Sequence, residues 1–204
     1  MHPQTSKNLG GVGALLLFIG PLLGFVPYLG AVGGLVGLIG FILVVIALKG
    51  FADHYNDAGI FNNALYGFII EIVGIVVALG AFIATALSVI ADWGITNWTE
   101  PTEWTTALTA EAAFESILEL LAGVIIAIVI LFAFTILTAF LYRRSLGILA
   151  SKSGVGLFGT AGLLLLVGAV LTIILIGFLL IWISFLLIAI AFFSMKPTAV
   201  QPPP

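Results

Sequence analysis

A chain of 204 residues with 62% hydrophobic and only 7% charged side chains cannot cover a water-facing surface; soluble domains carry about 25% charge. Lipid is therefore the solvent for most of it. A net charge of −3 without a basic patch excludes nucleic acid as a partner, and the absence of cysteine excludes disulfides, thiol nucleophiles and thiolate-bound metals.

The first 24 residues, MHPQTSKNLGGVGALLLFIGPLLG, resemble a weak signal peptide. They lack an Ala-x-Ala-like cleavage site, and a second apolar run follows almost at once, so a retained span is expected over 9–23. The break GPLLGFVPYLG carries Pro21 and Pro27, which do not sit quietly inside a helix. A second span follows over 29–48. The stretch KGFADHYNDAGIFNN reads as a polar loop, and a long third span covers 60–91. DWGITNWTEPTEWTTALTAE is the most polar part of the chain. A fourth span covers 114–142, and RRSLGILASKSG reads as the next loop. The last apolar run is too long for one crossing, because a bilayer takes about 20 residues of helix. Two spans, 155–175 and 178–193, turning near Gly177, fit its length. The fold expected is all-α: one transmembrane bundle over 1–196 with about six spans, then a flexible proline-rich tail, 197–204.

Six spans put both termini on one side, together with Lys7, Lys49, Arg143, Arg144, Lys152 and Lys196, which are all the Lys and Arg in the chain. The positive-inside rule makes that side the cytoplasm and the protein a multi-pass component of the cell membrane. On the other side Trp93, Trp98 and Trp104 lie beside Asp92, Glu100, Glu103 and Glu111. Indoles favour the headgroup level, so this loop reads as an interfacial anchor, with a docking surface for an external partner as the alternative. The two ends of the chain echo each other, SKNLGGVGALLLFIG against SKSGVGLFGTAGLLLLVG. A parallel duplication and a chance match of apolar sequence both account for it.

One carboxylate stands inside an apolar run, Glu71 in LYGFIIEIVGIVVALG. Steps of three and four along that span pass Ala64, Gly67, Glu71, Gly74, Ala78, Ala81, Thr85, Ser88 and Asp92, all small or polar. Such a stripe faces a partner helix and lets backbones approach where the hydrophobic effect gives no help. Glu71 is therefore expected to point into the bundle, with Gly67 and Gly74 leaving room around it. No intramembrane cation is available to pair with it, so a neutral acid donating a hydrogen bond to a neighbouring helix is expected. This is polar glue in one reading and a proton or cation site in the other. Glu111, Glu115 and Glu119 share a face of the fourth span. Glu119 is the deepest, and in an antiparallel hairpin it lies roughly a dozen residues further out than Glu71, beyond direct reach. The second span has its own glycines, Gly30, Gly33, Gly34, Gly37 and Gly40, with Gly33 and Gly37 forming a small-xxx-small pair for helix packing. Asp53, His54 and Asp57 are metal-capable types, but three of them on a solvated loop give no metal site.

The stretches SKNLGGVGALLLFIG, IALKGFADHYNDAGIFNNAL and LFGTAGLLLLVGAVLTIILIGFLLIWISFLLIAIAFFSM resemble those of a family of mostly archaeal membrane proteins, domain of unknown function 996 (DUF996). The resemblance implies a small polytopic membrane protein and carries no activity and no functional residues with it. The residues themselves hold no nucleophile–base pair, phosphate loop or cofactor motif. The reading they support is a non-enzymatic membrane protein that acts through helix packing, without catalytic residues, cofactor or metal. Its partners are the lipid bilayer and either further copies of itself or other membrane-protein subunits. The alternative is a small proton- or cation-coupled transporter or channel that uses Glu71, with Glu119 as a second site.

Overall fold

The computed structural model describes residues 2–95, 99–107 and 109–196. The readings placed on Trp98, on the side chains of Trp104 and Glu111, and on the tail 197–204 lie outside the described residues. Among the described residues the structure is helical: α1 (Pro3–Leu23), α2 (Gly30–His54), α3 (Ala58–Asp92), the short α4 (Pro101–Ala107), α5 (Ala110–Ser153), α6 (Leu157–Leu171) and α7 (Ile176–Ser194). Six of these, with α6 continued through Ile174, are long and apolar enough to cross a membrane.

The helices outrun the apolar segments that announce them, and the expected loops shrink to turns. α1 starts at Pro3, six residues before the expected span. Proline at the first helical position is pre-organised, and the His2 ring accepts the Gln4 amide. The expected loop from Lys49 is helical to His54. Lys49 pairs with Asp53 at 2.6 Å one turn on, and Phe51 and Ala52 are buried. The connection to α3 is Tyr55–Asp57, where Asn56 takes a left-handed backbone (φ 51°) and the Asp57 carboxylate accepts the Gly59 amide. The expected loop from Arg143 is helical to Ser153, because Leu146 and Leu149 are core residues at helical spacing. Gly154 (φ 72°) ends it.

The last reversal is centred on Leu175, two residues before Gly177; Leu175 adopts φ 64° after the 3-10 turn Thr172–Ile174. Gly177 belongs to the first turn of α7, where its α-carbon lies against the Gly168 carbonyl so closely that no Cβ fits. The glycine there serves contact between helices, not chain reversal.

The chain forms two compact units. The first holds α1, α2, α6 and α7 with residues 58–69 of α3 and 136–153 of α5. Its core centres on Phe51, Phe158 and Phe192, each at most 2% exposed. Phe158 meets Phe192 edge-on at 4.8 Å, and Phe51 stacks on Phe192 at 5.9 Å. Glycines set the spacing elsewhere. Gly13 and Gly20 of α1 face Gly40 and Gly33 of α2, backbone against backbone. On the other side α1 meets α7: Gly10 and Gly11 receive the rings of Phe192 and Phe193, and Phe18 stacks on Trp182 at 4.6 Å. The Trp182 indole donates to the Phe18 carbonyl at 2.7 Å. The two similar stretches of sequence thus end in comparable places. Gly20 closes one and faces Gly33; Gly168 closes the other and faces Gly177.

The second unit, Ile70–Thr135, contains an antiparallel pair made by the remainders of α3 and α5. Gly74 faces Phe134, Thr85 faces Gly123, Ser88 meets Glu119 and Trp93 meets Ser116.

Candidate functional site

The stripe along α3 is where the helix packs. Ala64, Gly67, Gly74 and Ala78 are buried, whereas Ile72, Val73, Val76, Leu79 and Ile83 are exposed. In the first unit, Thr138 donates to the Gly67 carbonyl at 3.1 Å, and Ser145, wholly buried, donates to that of Ile60. These hydroxyls bond a neighbouring helix backbone in a solvent that offers them nothing else.

Glu71 sits on the same stripe, partly exposed. Its surroundings differ from the expected ones. Gly74 leaves no room beside it, because a Cβ at Gly74 would lie 2.5 Å from the Phe134 Cβ. Nor does Glu71 make the expected hydrogen bond to another helix. Its Oε2 is buried and finds no partner among the described residues. An unmet buried oxygen costs about 1–3 kcal/mol.

Glu119 is differently placed. Its Oε1 lies 2.6 Å from the Ser88 hydroxyl oxygen, whose single proton is also within reach of the Thr85 carbonyl at 2.9 Å. One turn outward the Trp93 indole donates to Ser116 at 2.9 Å. Ser88 lies seventeen positions after Glu71 on α3, about 25 Å along the axis. The two acids therefore do not form one site. The Ser88–Glu119 and Trp93–Ser116 pairs escaped sequence reading because they join different helices, and only their register brings them together.

On α2 the glycines divide by face. Gly33, Gly37 and Gly40 all lie against α1: a Cβ on Gly20 would be 3.0 Å from the Gly33 carbonyl and 3.2 Å from the Gly37 amide nitrogen, and Gly40 meets Gly13 one turn further on. A Cβ at Gly33 would lie 2.5 Å from the Gly20 carbonyl, and one at Gly40 would lie 2.6 Å from that of Gly13. Around the Cβ positions of Gly30, Gly34 and Gly37 no atom outside the helix's own nearby backbone lies within 4 Å. The seven-residue spacing shared by Gly13–Gly20 and Gly33–Gly40 was the sequence signal for the α1–α2 pairing.

All six Lys and Arg lie in the first unit, where α1 and α6 begin and α2, α5 and α7 end. Lys7 donates to the Met195 carbonyl at 2.6 Å, Lys49 holds Asp53, and Lys152 lies 3.6 Å from Asp57. Asp53 and Asp57 are thus engaged by ammonium groups, and His54 rests edge-on against Tyr55. A cavity of about 120 Å³ opens among Lys49, Asp53, Asn56, Asp57, Phe61 and Asn62. At about 30 Å³ per water it suits a few solvent molecules.

Six helices of this length and apolarity define a multi-pass helical membrane protein. Residues 36–186 match the family described as protein of unknown function (DUF996), and the chain belongs to that family. It is also 25% identical, over 198 residues, to an uncharacterised protein of Methanocaldococcus jannaschii, an alignment that covers 96% of this chain and 94% of that one. No solved structure matches it.

Proposed function

We propose that this protein is a non-enzymatic component of the cell membrane that acts by helix packing, laying the open glycine stripe of α2 against a helix of a second copy or of another subunit. The observation that carries this reading is the stripe Gly30–Gly34–Gly37, whose Cβ positions meet nothing outside their own helix within 4 Å; Gly30 and Gly34 are exposed, and Gly37 lies at the edge of the stripe with its backbone against Gly20. A glycine facing lipid gains no contact and weakens its helix by roughly 0.5–1 kcal/mol relative to alanine. Three of them at i, i+4 and i+7 leave a side-chain-free groove into which another backbone fits. The cationic end lies in the cytoplasm by the positive-inside rule.

Native mass spectrometry of the gently extracted protein tests this. A fixed homo-oligomer or a bound subunit is expected. Gly34→Ile and Gly37→Ile should release it without loss of helical signal, since both side chains enter open space. A lone wild-type monomer would overturn the reading.

A second reading rests on the unpaired Oε2 of Glu71. A carboxylate kept inside a lipid-facing hairpin without a partner suits a proton or cation site. In liposomes Glu71→Gln should then abolish proton-coupled flux while the protein stays folded. If Glu71 only packs, the amide is tolerated and no flux is lost.

A further inference from the structure

Three cations of the first unit, Arg143, Arg144 and Lys196, have no ion pair or hydrogen bond among the described residues, and only the two arginines lie within a helix. They lie within α5, nine and ten residues before its end at Ser153, and both are exposed. Neither makes an ion pair or hydrogen bond among the described residues, and the acids of that end, Asp53 and Asp57, already hold Lys49 and Lys152. Arg143 is also fixed in depth. A Cβ on Gly162 would lie 3.0 Å from the Arg143 Cα. Gly162 is the sixth residue of α6, about 7 Å inside the start of that helix. With the start of α6 at the outer edge of the headgroup region, that depth is where headgroups give way to hydrocarbon.

The face of α5 that carries Arg144 changes character there. Steps of three and four pass Leu137, Phe140, Arg144, Gly147 and Ser151, all exposed. Leu137 and Phe140 are each 52% exposed. On the other side of Arg144 the Cβ position of Gly147 has no atom within 4 Å. An apolar strip, then a guanidinium, then empty space is the profile of one molecule with an acyl chain, a phosphate and a headgroup. We propose that Arg143 and Arg144 bind the phosphate of an anionic phospholipid, with its chain along Leu137 and Phe140 and its headgroup over Gly147. Guanidinium matches phosphate oxygens with paired donors, which an ammonium does not. A soluble anion would satisfy the charge but leave the adjoining apolar strip without a role.

The test uses the full chain in nanodiscs of equal phosphatidylglycerol and phosphatidylcholine, followed by native mass spectrometry of the lipid that stays bound. The wild type should retain phosphatidylglycerol over phosphatidylcholine by about ten- to thirty-fold, the scale for two cations at a membrane surface. R143Q/R144Q should erase that preference. Gly147→Leu keeps both charges, enters open space and should weaken retention by filling the headgroup position. Lys196→Gln, which removes another exposed cation, should leave the preference intact. Equal retention of the two lipids by the wild type, or a preference that survives in R143Q/R144Q, would overturn the proposal. So would thermal stabilisation of the lipid-free protein by inorganic phosphate equal to that given by the lipid, which would assign the site to a soluble anion.

Discussion

Gly13 and Gly40 hold α1 and α2 so close that a Cβ on either would lie 2.6 Å from the other's carbonyl oxygen. The obstacle is backbone, so it cannot rotate away. Gly13→Ala or Gly40→Ala must push the helices apart, at a cost of about 1–3 kcal/mol, the range for overpacking. Gly37→Ala meets no atom and should stabilise α2 by about 0.5–1 kcal/mol through helix propensity. Thermal unfolding in a mild detergent compares the three. Equal effects at Gly37 and Gly40 would mean that the close approach does not set stability.

The Ser145 hydroxyl bonded to the Ile60 carbonyl, and that of Thr138 bonded to the Gly67 carbonyl, fasten α5 to α3. Interhelical hydrogen bonds in membranes average about 0.6 kcal/mol and reach about 1.7. Ser145→Ala and Thr138→Val should each lower stability within that range. The two bonded carbonyls lie seven residues apart, so the losses should be close to additive. A loss far above that range in either variant would show that the hydroxyl does more than fasten a pair of helices.

Leu175 reverses the chain between α6 and α7 with φ 64° and is 74% exposed. A left-handed backbone costs a non-glycine residue about 1–2 kcal/mol, and glycine adopts it freely. Leu175→Gly should therefore hold or raise the unfolding temperature, although it deletes a large apolar side chain. Leu175→Val, branched at Cβ, should lower it. The opposite order would show that the turn is held by side-chain contact and not by backbone preference.

Burial pushes the Tyr55 phenol, in the turn between α2 and α3, above its ordinary value of 10.0. The folded state therefore resists loss of that proton. The stability this confers is intact below about pH 10 and is lost as pH rises from there through the folded value. A difference titration of tyrosinate absorbance between wild type and Tyr55→Phe follows this single phenol. A midpoint at or below the ordinary value would contradict the burial.

Much of the architecture was legible because membrane insertion imposes a coarse arithmetic. Apolar runs of the right length marked six helices, and the repeat of small residues at three and four steps marked the packed face of α3. Helix ends were harder to read. Lys49–His54 and Arg143–Ser153 are polar by composition, yet Phe51, Leu146 and Leu149 at helical spacing carry α2 and α5 onward into the core. The sequence placed the last turn near Gly177, but which residue reverses the chain (Leu175) and which serves close approach (Gly177) is not distinguished by sequence. Glu71 stood out by its chemistry, but its neighbours did not. Phe134 fills the space beside Gly74 and is 63 positions away from Glu71.

By itself the sequence determined the class of molecule, because desolvating charge is so costly that composition leaves no other solvent for these helices. Only the tertiary structure decided which glycines meet which backbones, that Ser88 partners Glu119, that an oxygen of Glu71 goes unmet, and that Arg143 and Arg144 stand without an acid. Those outcomes depend on register between helices distant in sequence, and register is set by the shapes of interlocking backbones that no local pattern encodes.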